Sequence, residues 1–328
     1  MNVCESTQRE ASMRWWITGP GEDESLRSVV ERADRLYGGE ADELRRRLWP
    51  RAASSAESML GLDMLSPHEL CILARRIGVT PRSLYSHRLP DHPMLLMETQ
   101  RRAFCPTCWH EARRANRPST FRRAWAGVFT LNCSIHGLPL HWASPSVART
   151  EGIGAGYPAP PRTARGKRIL MLIDHFSQTM ESALRDHSVW PSEWLGNPCA
   201  ARALLMRCVV NLGRMLEHPP FASVAGPPEL ASFVATPRQR VEPLQESPWK
   251  SVQALGPPAW RRAAFWMTAR YVVPSLKDDE LPERLPADAF AALDAQWADQ
   301  SDHRQLRRVQ HYRAALRTMC LPFRIGGG

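Results

Sequence analysis

The chain has 328 residues, 43% of them hydrophobic, and a formal net charge of +10. This length and composition specify a globular protein with room for a core of its own, and exclude a disordered or fibrous chain. The basic excess favours a polyanionic partner, nucleic acid first, while no run approaches the roughly 18 consecutive apolar residues of a membrane-spanning helix.

Residues 1–20 read as a leader. They show no charged stretch followed by an apolar one, so secretion is not expected, and a cytoplasmic, nucleoid-associated location fits. From Glu24 the line ESLRSVVERADRLYG puts Leu26, Val29, Val30, Ala33, Leu36 and Tyr37 on one helical face. Asp23, Glu24 and Ser25 offer N-cap chemistry, and Gly38 with Gly39 forms the stop. A second helix, ADELRRRLW, ends at Pro50.

Residues 66–89 form a sharper pattern. Ser66 caps, Pro67 takes the first helical position, and Leu70, Leu73, Ala74 and Ile77 line one face. Gly78 breaks that helix, Val79 can plug the corner, and Thr80 with Pro81 starts another bearing Leu84 and Tyr85. Helix, short turn, helix is the order of a helix-turn-helix, and also of a plain helical hairpin. In a DNA reader the second helix would offer Arg82, Ser83, Ser86 and Arg88 to the groove.

Two short clusters follow, Cys105-Pro106-Thr107-Cys108 and Cys133-Ser134-Ile135-His136. A C-x2-C turn lets two thiolates converge on one ion, and C-x2-H does the same with an imidazole, so two such corners make a closed, tetrahedral Cys3His zinc site. A redox pair would call for a strand–helix–strand context that the arginine-rich flanks lack. The other five cysteines, Cys4, Cys71, Cys199, Cys208 and Cys320, are scattered without a disulfide framework. Buried core cysteines are the remaining alternative. With all four positions filled by protein, one structural Zn2+ is expected rather than a catalytic one.

The same region is basic. Residues 101–123 hold seven arginines against one acid, Glu111, and residues 303–324 hold six arginines and no acid. Either run can be a solvated helix face or a phosphate-binding surface. In the first, Arg113, Arg114, Arg122 and Arg123 are the candidates for DNA contact.

Residues 144–168, rich in Gly and Pro, read as a linker; GIGAG lacks the spacing of a dinucleotide fingerprint. Beyond it Ile169, Leu172, Ile173, Phe176, Met180 and Leu184 recur at helical spacing, a core stripe. Residues 200–216 read as another helix, and the nine prolines of 218–258 break that stretch into turns. AWRRAAFWMTARYVV and DHRQLRRVQHYRAALRTM read as the last helices. Alternating strand patterns are nearly absent, apart from short ribbons expected at the cysteine corners.

The expected protein is therefore mainly α. A helical domain with a helix-turn-helix-like pair spans 21–100, a zinc-finger module 101–143, a linker 144–168 and a helical C-terminal domain 169–328.

The order of these parts resembles the TniQ family of bacterial transposition proteins. The resemblance is carried by Glu24-Ser25-Leu26 with Ser28 and Arg32, then LARRIGVTPRSLYSHRL, then CPTC. It continues with Phe121-Arg122-Arg123-Ala124-Trp125 and with Cys133-Ser134-Ile135-His136-Gly137 followed by Leu140. It covers about residues 20–145. Many members carry further cysteines after the C-x2-H corner, often for a second zinc; here His141-Trp142-Ala143-Ser144-Pro145 follows, so one ion is expected.

What the resemblance implies is a non-catalytic targeting adaptor. Such a protein links target DNA, or an RNA-guided effector bound to it, to the transposon's AAA+ ATPase and transposase. Some members form dimers, so a homodimer is among the expectations.

The alternative is a zinc-containing helix-turn-helix transcriptional regulator. An enzyme fits less well: His68-Glu69 and His110-Glu111 lack the second histidine of HExxH, and the zinc-deaminase and P-loop patterns are absent.

Overall fold

The computed structural model describes residues 17–37, 61–89, 94–144, 147–148, 150–153, 157, 161–185, 257–259, 261–262 and 264–266. The sequence-predicted helices at 41–49, 200–216 and 302–319, most of the proline-rich stretch 218–258 and the arginine run 303–324 lie outside them. The described residues are mainly helical, and their one sheet has two strands. No helix among them is long and apolar enough to cross a membrane. The chain separates into two compact units: Met1–Gly127 with His141–Ala155, and Val128–Leu140 with Gly156–Gly328.

The first unit starts with α1, Leu26–Tyr37. Ser25 caps it, its hydroxyl oxygen accepting from the Ser28 N–H at 3.2 Å. Leu26, Val29, Val30 and Ala33 are completely buried, as the periodicity predicts, whereas Leu36, read onto the same face, is exposed in the last turn of the helix. Leu26, Val29 and Val30 join Leu62, Leu65, Leu70, Leu73, Ala74, Ile77 and Leu84 in one apolar cluster, with Ile17, Ile72 and Val79 packed against it. Each such side chain removed from water contributes about 1.5–3 kcal/mol, so this cluster holds the N-terminal helices together.

Helix α2, Pro67–Ile77, carries a complete capping box. The Ser66 hydroxyl accepts from Glu69 N–H at 3.3 Å and the Glu69 carboxylate accepts from Ser66 N–H at 2.7 Å. It stops at Gly78, whose φ of 71° lies in the left-handed region that a side chain penalises. Thr80 then caps α3, Pro81–Tyr85, accepting from Ser83 N–H at 3.2 Å. Both ends of the helix pair thus obey local chemistry written in the sequence. Helix α3 is short, however; beyond Tyr85 the chain continues as a turn, with His87 and Arg88 N–H groups donating to the Leu84 and Tyr85 carbonyls.

Strands β1 (Ala103–Phe104) and β2 (His141–Trp142) pair antiparallel and flank α4, Pro106–Arg114. Phe104 stacks on Trp109 with ring centroids 4.0 Å apart, and Trp109 meets the Phe121 ring edge-on at 5.4 Å. The indole N–H of Trp109 donates to the Thr120 carbonyl at 2.9 Å, which leaves its polar edge satisfied in the core.

In the second unit, residues 131–140 fold back on themselves. Leu140 N–H donates to the Leu131 carbonyl at 2.9 Å, and Asn132 bridges antiparallel to Pro139. Helix α5, Ala164–Arg185, buries Ile169, Ile173, Phe176 and Met180 along the predicted stripe and exposes Met171. The helical residues between 258 and 266 bury Phe265, which stacks on Phe129 at 5.3 Å, and also two arginines. Arg261 donates to the carbonyls of Val128 and Thr130, and Arg262 to that of Leu140 at 3.0 Å. Burial pushes the pKa of each guanidinium down to about 9, and for Arg261 the neighbouring Arg262 adds to the effect.

Candidate metal centre and basic surface

Each ligand corner is made by its own local structure. Cys105 is the N-cap residue of α4, with Pro106 at the first helical position, so Cys108 follows within the first turn. The Trp109 N–H closes that turn on the Cys105 carbonyl at 3.1 Å. The second corner is the tip of the 131–140 fold-back. Cys133 N–H donates to the Leu138 carbonyl at 2.8 Å, and Gly137 N–H donates to the Cys133 carbonyl at 2.8 Å. Gly137 has φ of 63°, the left-handed conformation that lets the chain reverse directly behind His136.

The ligand atoms of Cys105, Cys108, Cys133 and His136 all lie within 4.8 Å of one another. Cys133 Sγ and His136 Nδ1 are 3.7 Å apart, close to the edge of about 3.5 Å that a tetrahedron with metal–sulfur and metal–nitrogen bonds of about 2.3 and 2.0 Å requires. Cys105 and Cys133 are buried, and Cys108 and His136 partly so. The four donors therefore fit one metal ion, and the fit comes from the chemistry of the set: three sulfurs and one imidazole nitrogen converging from two turns. No open ligand position remains in such a shell.

Around Asp23 lies a set of charges that no local pattern in the sequence connects. The Arg122 Nε donates to the Asp23 carboxylate at 3.2 Å. Burial alone would lower the Arg122 pKa; the hydrogen bond and charge of Asp23, with a smaller contribution from Cys108, outweigh it and raise the pKa above its ordinary value. Arg123 also reaches Asp23, at 3.3 Å, and donates to the Ser86 carbonyl. Asp23 itself sits at φ of 58° in the turn before α1.

The other residues expected at DNA divide by exposure. Arg82, Ser83, Ser86 and Arg114 are exposed, and Arg88 and Arg113 are half-buried. The Ser83 and Ser86 hydroxyls donate to the Thr80 and Ser83 carbonyls at 2.8 and 2.9 Å. Arg88 lies over the Tyr85 ring at 5.1 Å, and Arg113 donates to the Glu151 carbonyl. Among the eight, Arg122 and Arg123 share Asp23, while Arg82 and Ser83 lie on α3 and Ser86 and Arg88, expected on the same helix, fall at its C-cap and in the turn beyond it.

A further group was visible only as part of a family resemblance. Glu24 is completely buried, and its carboxylate accepts from Gly21 N–H, the Ser28 hydroxyl and the Arg32 guanidinium, each at 2.9 Å. The Ser28 hydroxyl oxygen in turn accepts from Phe121 N–H at 2.9 Å, and Ser25 N–H donates to the Phe121 carbonyl at 2.9 Å. This polar knot docks the segment that carries Arg122 onto the start of α1. A second one joins Asp63 to Arg101 at 3.1 Å and to the Arg27 N–H at 3.0 Å. The 36 and 38 residues of separation hide those contacts from any local pattern.

Residues 16–140 match the TniQ family model, a family associated with transposition. The matched span contains α1, the helix pair, the polar knot and both ligand corners, and the resemblance read from the sequence holds over it. No curated protein and no solved structure matches the chain.

Proposed function

We propose that this chain, a TniQ family protein over residues 16–140, is a non-catalytic adaptor in DNA transposition. In this reading it links target DNA, or an RNA-guided effector bound to that DNA, to the transposon's AAA+ ATPase and transposase. The observation that carries the reading is the match of one transposition-associated family to the span that holds the helix pair and the Cys3His group.

The metal is one Zn2+, held by Cys105, Cys108, Cys133 and His136; when bound, it supplies a rigid crosslink between two short turns, with no site for substrate. The chain's own residues do the rest. The knot around Glu24 and the clamp of Asp23 on Arg122 and Arg123 fix the surface around the helix pair. The exposed Arg82, Ser83, Ser86 and Arg114, with Arg88 and Arg113 beside them, supply contacts to phosphate. Arg122 and Arg123, engaged with Asp23, add positive potential more than new hydrogen bonds.

Reconstitution tests this directly. Transposition with the cognate ATPase and transposase should fail, or lose its target preference, when this chain is omitted, and the purified chain should neither cut nor join DNA. Unchanged frequency and target distribution without it would reject the adaptor role. A transcriptional regulator would instead protect a fixed operator with no ATPase or transposase present.

A further inference from the structure

The fold-back whose tip carries Cys133 and His136 is joined leg to leg by few backbone contacts. Leu140 N–H donates to the Leu131 carbonyl at 2.9 Å, and Asn132 bridges to Pro139. A two-legged ribbon of this kind is marginal in water without further support. The support comes from 122 to 133 residues further along the chain, from two arginines that are 0% and 2% exposed.

Arg262 Nη1 donates to the Leu140 carbonyl at 3.0 Å and to the Leu131 carbonyl at 3.4 Å, so one guanidinium spans both legs at the base of the ligand turn. Arg261 Nη1 donates to the Val128 and Thr130 carbonyls, on the incoming leg alone. The segment that presents them is itself fixed. Arg261 N–H donates to the Pro257 carbonyl at 3.0 Å, and Phe265 stacks on Phe129 at 5.3 Å. Taking two guanidinium groups out of water is costly unless acceptors offset it, and here the carbonyls of one short fold-back do so. A turn free to sample other conformations would bind an ion with its affinity reduced by the fraction of time spent in the competent one.

We propose that Arg261 and Arg262 are positioning residues of the metal centre: they fix the base of the 128–140 fold-back, so that Cys133 and His136 are set for the ion before it binds. The proposal rests on metal binding by the Cys3His group. It extends that centre beyond the family-matched residues 16–140 to the segment 257–266. Arg262, which holds both legs, matters more than Arg261, which holds one.

The test is metal competition on the full-length chain. Co2+ and then Zn2+ are titrated against a chelator for the parent, Arg262→Met, Arg262→Lys, Arg261→Met and Met180→Ala, and the cobalt ligand-field bands are recorded for each. Methionine keeps much of the arginine's bulk and removes every donor. Met180→Ala opens a cavity at a fully buried side chain of α5 in the same unit, and is the comparison for a loss of stability alone. Arg262→Met should lower metal affinity about 10- to 100-fold, the population shift expected when one or two hydrogen bonds from a charged donor are lost. Its ligand-field bands should weaken, because a ligand that swings away lets water enter the tetrahedral shell. Arg261→Met should lose less affinity. Arg262→Lys should recover part of the loss, since an ammonium can still donate to one of the two carbonyls. Met180→Ala should melt earlier than the parent yet match it in affinity and spectrum. Should Arg262→Met fail to fold, Arg262→Lys and Arg261→Met decide. Parent affinity and bands in Arg262→Met or, failing that, in both of those variants would overturn the proposal, as would an equal affinity loss in Met180→Ala. Failure of the parent itself to bind Co2+ or Zn2+ would overturn the metal centre and this proposal with it.

Discussion

Arg32 grips Glu24 through two hydrogen bonds of 2.9 Å, from Nε to Oε1 and from Nη2 to Oε2, eight residues apart and with Glu24 wholly out of water. Two charges in that setting contribute little net stability as a pair, since desolvation offsets most of their attraction. Removing one partner strands the other at a cost of about 3–5 kcal/mol. Arg32→Ala and Glu24→Gln should each fall in or near that range in urea denaturation, with the double variant losing much less than the sum. Additive losses would mean that the two groups act separately. Because Ser28 links this knot to Phe121, proteolysis of the variants should open the 119–126 segment early.

The ends of α2 offer a milder test. Ser66→Ala deletes one half of the capping box and should cost about 1 kcal/mol. Gly78→Ala should cost a similar amount, because Gly78 holds φ of 71°; a methyl group placed there meets no atom within 4 Å, so the loss is conformational, without a clash. Denaturation midpoints of the two variants check this, and a stabilised Gly78→Ala would contradict the left-handed cap.

These two sets of residues also separate what the sequence makes legible from what it hides. Ser66, Pro67, Gly78, Thr80 and Pro81 act on backbone groups within a few residues, so cap chemistry predicts α2 and α3 from the sequence alone. The two cysteine corners are legible for the same reason: each is a turn of four residues whose donors converge wherever the rest of the chain goes. The knots are different. Ser28 reaches Phe121 across 93 residues and Asp63 reaches Arg101 across 38, distances over which no periodicity operates. Arg122 and Arg123 read as phosphate contacts because an arginine run looks the same whether it faces DNA or an internal carboxylate. Only the position of Asp23, in a turn 99 residues before Arg122, tells them apart.

Metal content follows from the Cys3His geometry. One equivalent of zinc per chain should co-purify. Cys105→Ser or Cys133→Ser should lose it and unfold at least the region around residues 101–142, since structural zinc binding is folding free energy, about 10 kcal/mol in small sites. Acid should release the ion as well, because protons compete for the three sulfurs and the imidazole. Elemental analysis finding no metal in folded protein would reject the site, and two equivalents would require ligands beyond these four.

The basic surface leads to the last expectation. If phosphate binding draws on charge, affinity for duplex DNA should fall steeply between low and physiological salt, as counterions are released in proportion to the phosphates neutralised. The exposed members should dominate. Arg82→Ala together with Arg114→Ala should weaken binding about equally on unrelated sequences. The salt dependence should also become shallower, by roughly one unit of log–log slope for each phosphate no longer neutralised. Ser83 and Ser86 carry no charge and already donate to the Thr80 and Ser83 carbonyls, so their alanine variants should alter affinity far less and leave the slope unchanged. Arg123→Ala should shift stability more than the slope, because its guanidinium is engaged with Asp23 and the Ser86 carbonyl. Filter binding across a salt series, with melting curves of the same variants, separates these outcomes. An affinity that does not change with salt would rule out a phosphate-binding surface, and a slope that falls as much in Arg123→Ala as in Arg82→Ala would show that the Asp23 clamp opens when DNA binds.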